Sequence, residues 1–193
     1  MEFELEFEFR HIPKTAGSSI ENALKDAGVN VGKDDKRERE RSGPCQWHNT
    51  TRLNPNAQTW CVVREPLERF VSEHKYQSWN GIYSAGECSV DALNDHVNRA
   101  YDKKFHKTSK AHCHYIPQSE YECDIKLDLA TINTEFPKFA HDVLGVENIS
   151  FETKVNTMTK KCELTVDDLT EDSKRKLREM YAEDIKMYDE IRG

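Results

Sequence analysis

The residues best equipped for chemistry stand together near the start of the chain, in the run His11-Ile12-Pro13-Lys14-Thr15-Ala16-Gly17-Ser18-Ser19. Lys14 offers a full positive charge, Thr15, Ser18 and Ser19 offer small hydroxyls, and Gly17 lets backbone approach a ligand closely. If a strand precedes such a run and a helix follows it, the unpaired N–H groups of the first helical turn and the positive end of the helix dipole converge on one point, which is an anion site. The same arrangement can also be an ordinary strand-to-helix turn with an incidental lysine. The order differs from the common nucleotide loop, in which the lysine follows the glycines and directly precedes the hydroxyl residue; here Lys14 precedes Gly17 and both serines.

The flanking residues supply both elements. Phe3, Leu5, Phe7 and Phe9 alternate with glutamates, the period of a strand with one buried face. Ile20, Ala23, Leu24 and Ala27 recur at helical spacing before Gly28, and Ser18 with Glu21 has the spacing of a capping box.

A second chemical stretch begins after Gln46-Trp47-His48-Asn49-Thr50-Thr51-Arg52, with a strand pattern at Thr59-Trp60-Cys61-Val62-Val63. The apolar residues end at Arg64, Pro66 suits a first helical turn, and Leu67, Phe70, Val71 and His74 continue at helical spacing. Arg64 is thereby expected at the carboxyl end of a strand, where open α/β sheets bind ligands. Its guanidinium is a permanent planar fork of donors suited to phosphate, or equally to a nearby carboxylate. Ser72, two turns into the helix, can add a hydroxyl. His48, just upstream of a buried strand, has the side chain whose ordinary pKa near 6.5 suits proton abstraction at neutral pH, although a single histidine can also be purely structural.

At 193 residues and 36% hydrophobic, the chain has enough interior for one sheet flanked by helices, so residues 1–193 are expected to form a single α/β domain. A formal net charge of −7 argues against a nucleic-acid or anionic-membrane partner, so any anion must be held by local groups. No apolar run approaches the roughly 18 residues a membrane span needs, and no signal-peptide core is visible, which leads to the expectation of a soluble, cytoplasmic protein. The six cysteines contain no C-x-x-C pair and are expected to remain thiols in a reducing compartment. Lys33 to Arg41 mixes both charge signs and reads as a solvated loop. His106, His112, Cys113, His114 and Cys123 are ligand types for zinc, but their spacing matches no structural zinc pattern.

Further helices are expected from Ser89, which caps a face of Val90, Leu93, Val97, Ala100 and Tyr101, and over Phe136 to Leu144, closed by Gly145. A last helix is expected from Thr170, burying Leu177, Met180, Tyr181, Ile185 and Tyr188.

Taken together, HIPKTAGSS after a strand and REPLERFVS after a second strand resemble the two cofactor-binding motifs of the sulfotransferases that act on carbohydrates, the uronyl 2-O-sulfotransferase and chondroitin sulfotransferase group. The resemblance implies a P-loop-like three-layer fold with a mainly parallel central sheet, and the donor 3′-phosphoadenosine 5′-phosphosulfate (PAPS), with adenosine 3′,5′-bisphosphate as product. It implies that Lys14, Thr15, Ala16, Gly17, Ser18 and Ser19 cradle the 5′-phosphosulfate, and that Arg64 and Ser72, eight residues on, hold the 3′-phosphate. QWHNTTR is similar to the segment that carries the family's catalytic base, which falls on His48 beside Lys14 as the second catalytic residue. His114-Tyr115-Ile116-Pro117-Gln118 is similar to a later H-x-x-P-Q segment that lies near the acceptor, which makes His114, with Arg52, a candidate acceptor contact. Glu135 to Gly145 and Asn156 resemble the family's next helix and its following asparagine.

The chemistry so implied is sulfuryl transfer to a hydroxyl acceptor, a saccharide in such a family, with no metal because Lys14 carries the compensating charge. The sequence departs from the Golgi members in lacking their membrane anchor and stem and in being much shorter. Two other readings stand beside this one. A P-loop-like nucleotide kinase is disfavoured by the loop order, and a non-catalytic nucleotide-binding scaffold would have no use for a base at His48.

Overall fold

The computed structural model describes residues 7–29, 48, 50–80, 88–102, 112–152 and 162–193, without the side chains of residues 77–80 and 112. Phe3, Leu5, the charge run Lys33 to Arg41, His106 and Asn156 lie outside the described residues.

Among the described residues three strands form a parallel sheet in the order β1-β2-β3: β1 is Phe7–Arg10, β2 is Gln58–Val63 and β3 is Ile125–Asp128. Phe9 pairs with Trp60, and Trp60 in turn with Ile125. Among the described residues six helices accompany the sheet: α1 Gly17–Asp26, α2 Pro66–Asn80, α3 Val90–Tyr101, α4 Ile132–Asp142, α5 Glu171–Met180 and α6 Ala182–Arg192. The architecture is the expected α/β one, with a parallel sheet flanked by helices.

The central strand explains why both faces are covered. Its residues from Thr59 to Val63 are buried without interruption, as a parallel strand between two helical layers requires. Trp60 and Val62 pack on one side with Ile20 and Leu24 of α1 and Ile132, Phe136, Phe139 and Ala140 of α4. Cys61 and Val63 face the other side, with Ile12, Tyr121 and Tyr188 of α6. A third cluster joins α2, α3 and α5 through Leu67, Phe70, Val71, Leu93, Val97, Leu177 and Tyr181. Ser89 caps α3 as its position implied, its hydroxyl accepting from the Ala92 N–H at 3.3 Å. Val90, the first residue of α3, differs from expectation: it is 45% exposed.

The long C-terminal helix is in fact two. The backbone turns at Tyr181, with φ −118° and ψ 32°, so that α5 packs on α2 and α3 while α6 reaches the sheet and the segment before β3. Tyr181 and Tyr188 are buried as expected, on opposite sides of the break.

The cysteines do not remain thiols. Cys61 is bonded to Cys123 and Cys88 to Cys162, with Cα–Cα separations of 5.9 and 5.6 Å, and Cys113 is also disulfide-bonded. The expectation failed because bridging depends on distant chain segments meeting in space. Thr59 and Asp124 exchange hydrogen bonds between the start of β2 and the approach to β3, which sets Cys61 beside Cys123. Since the Cys88–Cys162 bridge spans 74 residues of sequence, replacing both partners by serine is expected to lower unfolding free energy by about 4 kcal/mol in the chain-entropy description. Urea unfolding of Cys88→Ser/Cys162→Ser against the parent measures this, and a loss under about 1 kcal/mol would show that the bridge does not constrain the unfolded chain as that description holds.

Candidate functional site

The loop between β1 and α1 is held in a costly shape. Lys14 and Ala16 both adopt left-handed backbone, φ 68° and 64°, a conformation that costs a non-glycine residue about 1–2 kcal/mol. Two buried contacts hold it: Thr15 donates its hydroxyl to the Ile12 carbonyl at 2.9 Å, and the Arg69 Nε donates to the Pro13 carbonyl at 3.2 Å.

The capping box expected at Ser18 and Glu21 does not form. Ala16 is the N-cap and no side chain caps the helix, because Glu21 is turned away to pair with Nδ1 of His11 at 2.7 Å. The N–H groups of the first turn, at Gly17 and Ser18, therefore have no helical carbonyl to donate to. Gly17 has a reason beyond ligand approach: a Cβ there would lie inside the His11 ring.

Lys14 leaves the loop with its Nζ 4.1 Å from the centre of the Tyr76 ring on α2. Burial pushes its pKa down to about 8; the nearby Arg64 guanidinium acts in the same direction, and Glu73 opposes them. Lys14 and Arg64 thus stand within each other's electrostatic field, one at the carboxyl end of β1 and one just past the end of β2.

Arg64 pairs with Glu68 at 3.4 Å, on the turn that follows, and its side chain keeps 26% of its exposure. The Arg64 charge also reaches Lys75, whose amine burial and Arg64 hold below the usual range. Glu68, Ser72 and Lys75 lie one turn apart along one face of α2, so half-buried Ser72 stands between two side chains that sense Arg64. Lys75 and Tyr76 carried no sequence signal beyond helical spacing.

A wall of imidazoles adjoins these cations. The His48 ring meets the His11 ring at 4.8 Å and the His114 ring at 5.1 Å, edge to face in both cases. Nδ1 of His48 lies 3.0 Å from the His11 carbonyl oxygen, which can only accept, so Nδ1 carries the proton and Nε2 keeps its lone pair. Burial, then the neighbouring His11, push the His48 pKa down to about 3, with smaller contributions from His114 and Arg69. His48 is accordingly neutral at ordinary pH, and a weaker base than a free imidazole.

His114 is anchored by the buried carboxylate of Glu73, 2.8 Å from its Nδ1, and stacks on Tyr76 at 5.9 Å. Lys14, Tyr76, His114 and His48 form one continuous surface.

Arg69, which the sequence reading treated only as part of a helix, ties these parts together. Besides the Pro13 carbonyl it donates to those of His114 and Ile116, at 3.1 and 2.9 Å, and lies 3.8 Å from Asp184 of α6. Arg52 is not brought here. Its guanidinium is taken by Glu122 and Asp124 at the amino end of the sheet, beside Thr59, opposite the end where Lys14 and Arg64 meet. Of the residues weighed as zinc ligands, Cys113 and Cys123 are in disulfides. Among the described residues no group of three or more His, Cys, Asp or Glu could hold a metal ion.

The depressed pKa of Lys14 has a measurable consequence. An anion at Nζ favours the ammonium and raises its pKa above the free value of about 8. Anion affinity is then full below pH 8 and falls as pH rises through it, by up to about tenfold per unit. Calorimetric titration with adenosine 3′,5′-bisphosphate between pH 7 and 9.5 should show this decline, and Lys14→Arg should flatten it because guanidinium stays charged. A flat profile in the parent protein would detach Lys14 from the anion.

No curated protein and no solved structure matches the chain. Among the described residues no helix is long and apolar enough to cross a membrane. The model of the sulfotransferase family matches residues 4–189, nearly the whole chain and both candidate stretches. The chain belongs to the sulfotransferase family.

Proposed function

We propose that this sulfotransferase moves a sulfuryl group from PAPS to a hydroxyl, on a saccharide acceptor, with residues 1–193 acting as one catalytic domain. The observation that carries the reading is the mutual electrostatic influence of Lys14 and Arg64 at the same end of the sheet, in a chain whose net charge is negative. Those two cations, with Lys75 and the uncapped start of α1, suit a ligand bearing a phosphate at each end.

When bound, PAPS supplies an activated S–O bond to its 5′-phosphate. Lys14 and the N–H groups of Thr15 to Ser18 would hold that phosphate and stabilise the negative charge left on it when the S–O bond gives up its electron pair, whereas the Ser19 N–H is already donated to the Ala16 carbonyl at 2.9 Å. Arg64 and Ser72 hold the 3′-phosphate. His48 accepts the hydroxyl proton at Nε2 while the acceptor oxygen forms the new bond to sulfur. The Nδ1 bond to the His11 carbonyl supports this role by fixing the tautomer. Glu73 keeps His114 oriented beside it, on the side where an acceptor hydroxyl would enter. The saccharide rests on the resemblance to carbohydrate sulfotransferases. The disulfides favour an oxidising compartment over the cytoplasm expected from the sequence.

Two measurements test the reading. Adenosine 3′,5′-bisphosphate at 100 times its Kd should stabilise the fold by about 2.7 kcal/mol, far more than ADP at the same concentration; equal stabilisation would favour a kinase-like site. His48→Ala should lower kcat for transfer from labelled PAPS by about 100-fold or more while leaving the Kd for adenosine 3′,5′-bisphosphate nearly unchanged. Undiminished turnover would remove His48 from proton transfer.

A further inference from the structure

The β2–β3 ladder ends where Val63 pairs with Asp128 and the Val63 carbonyl accepts from Leu129. Arg64 is the first residue past it, so its own peptide groups have no strand neighbour. The side chain of Gln118 takes both: the Arg64 N–H donates to Oε1 at 2.9 Å, and Nε2 donates to the Arg64 carbonyl at 2.8 Å. The side-chain amide thereby replaces a peptide unit of an adjoining strand. Its orientation is dictated, since an N–H can only donate and a carbonyl can only accept.

Gln118 is fully buried and is itself held by Asp184 of α6, also fully buried. Oδ2 of Asp184 accepts from the Gln118 N–H at 2.8 Å, and Oδ1 accepts from the Ser119 N–H and hydroxyl at 2.9 and 2.7 Å. A chain of short bonds therefore runs from α6 to the backbone from which the Arg64 guanidinium projects.

We propose that Gln118 is a positioning residue for donor discrimination: by clasping the Arg64 backbone it aims the guanidinium at the 3′-phosphate, with Asp184 fixing Gln118 for that task. This rests on the reading of Arg64 as the 3′-phosphate ligand. It gives the H-x-x-P-Q segment a role on the donor side, where the resemblance suggested the acceptor. A long side chain magnifies small rotations at its root, so a freed Arg64 backbone spreads the guanidinium over many positions and leaves the 5′-phosphate site, built from a different loop, unaffected.

The test is the ratio of Kd values for adenosine 5′-monophosphate and adenosine 3′,5′-bisphosphate, measured calorimetrically for the parent, Gln118→Met and Arg64→Ala. Gln118→Met should reduce the ratio about tenfold with the monophosphate Kd within about twofold of the parent, because a charge-assisted contact is lost only for the second ligand. Parallel weakening of both ligands, or an unchanged ratio, overturns the proposal, since a merely structural role predicts the former. Collapse of the ratio in Arg64→Ala alone overturns the role of Gln118 and leaves the donor reading standing; an unchanged ratio in Arg64→Ala removes both. Should Gln118→Met not fold by circular dichroism, Gln118→Glu is read by the same ratio: it keeps the acceptor for the Arg64 N–H and loses the donor, so an intermediate ratio is expected and an unchanged one overturns the proposal.

Discussion

A guanidinium buried at 3% exposure is tolerable only when its donors are satisfied and its charge is answered, and Arg69 meets both conditions in a way that shapes the site. Its partners are the carbonyls of Pro13, His114 and Ile116 and the carboxylate of Asp184. They come from three segments: the β1–α1 loop, the stretch before β3, which supplies two of the carbonyls, and α6. The left-handed backbone at Lys14 and Ala16 persists because the carbonyl just before it is held from this side. The imidazole wall keeps its register with the loop because the backbone of His114 is held by the same group. Arg69 contributes no atom to the proposed chemistry, yet the positions of those that do derive from it.

Electrostatics in this pocket divide the labour between neighbouring side chains. Burial lowers the pKa of both Lys14 and His48, but with opposite meaning. Lys14 stays mostly charged at neutral pH but loses its proton within reach of it, so an anion beside it would restore what burial took from the ammonium. His48 is driven deep into its neutral form, so its lone pair is present at any physiological pH. Of the nearby carboxylates, Glu21 and Glu73 are each engaged with Nδ1 of a histidine, while Glu68 pairs with Arg64 at 3.4 Å.

What could be read from the sequence follows from what is local. β1, its loop and α1, and β2 with Arg64 and α2, were legible because alternation, helical spacing, Pro66 and Gly28 all act within a few residues. β3 was not: Ile125 to Asp128 is four residues with a lysine inside it, and only pairing with Trp60 to Val63 makes it a strand. The capping box at Ser18 and Glu21 fitted the local pattern and lost to His11, which reaches Glu21 once β1 and α1 pack. The same holds for the disulfides, for the turn at Tyr181 and for Arg52, whose partners Glu122 and Asp124 stand about seventy residues away. Of the site, the cations and His48 were visible as residue types, whereas Glu73, Tyr76, Arg69 and Gln118 acquired meaning only from what they touch.

The spacing of the contacts that brace the pocket also bears on how it comes into being. Arg69 lies 56 residues from Pro13, Arg64 lies 54 from Gln118, and Gln118 lies 66 from Asp184. Every one of these loops must close before its bonds form, and such distant closures are the slow, late part of folding. The helices of the α2–α3–α5 cluster can gather early, but a chain in which α6 has not yet docked has no fixed Arg64 and no fixed lysine loop. An ordered Arg64 and an ordered lysine loop are therefore among the last features the polypeptide acquires, and a kinetic intermediate with most of its helical content would still lack both.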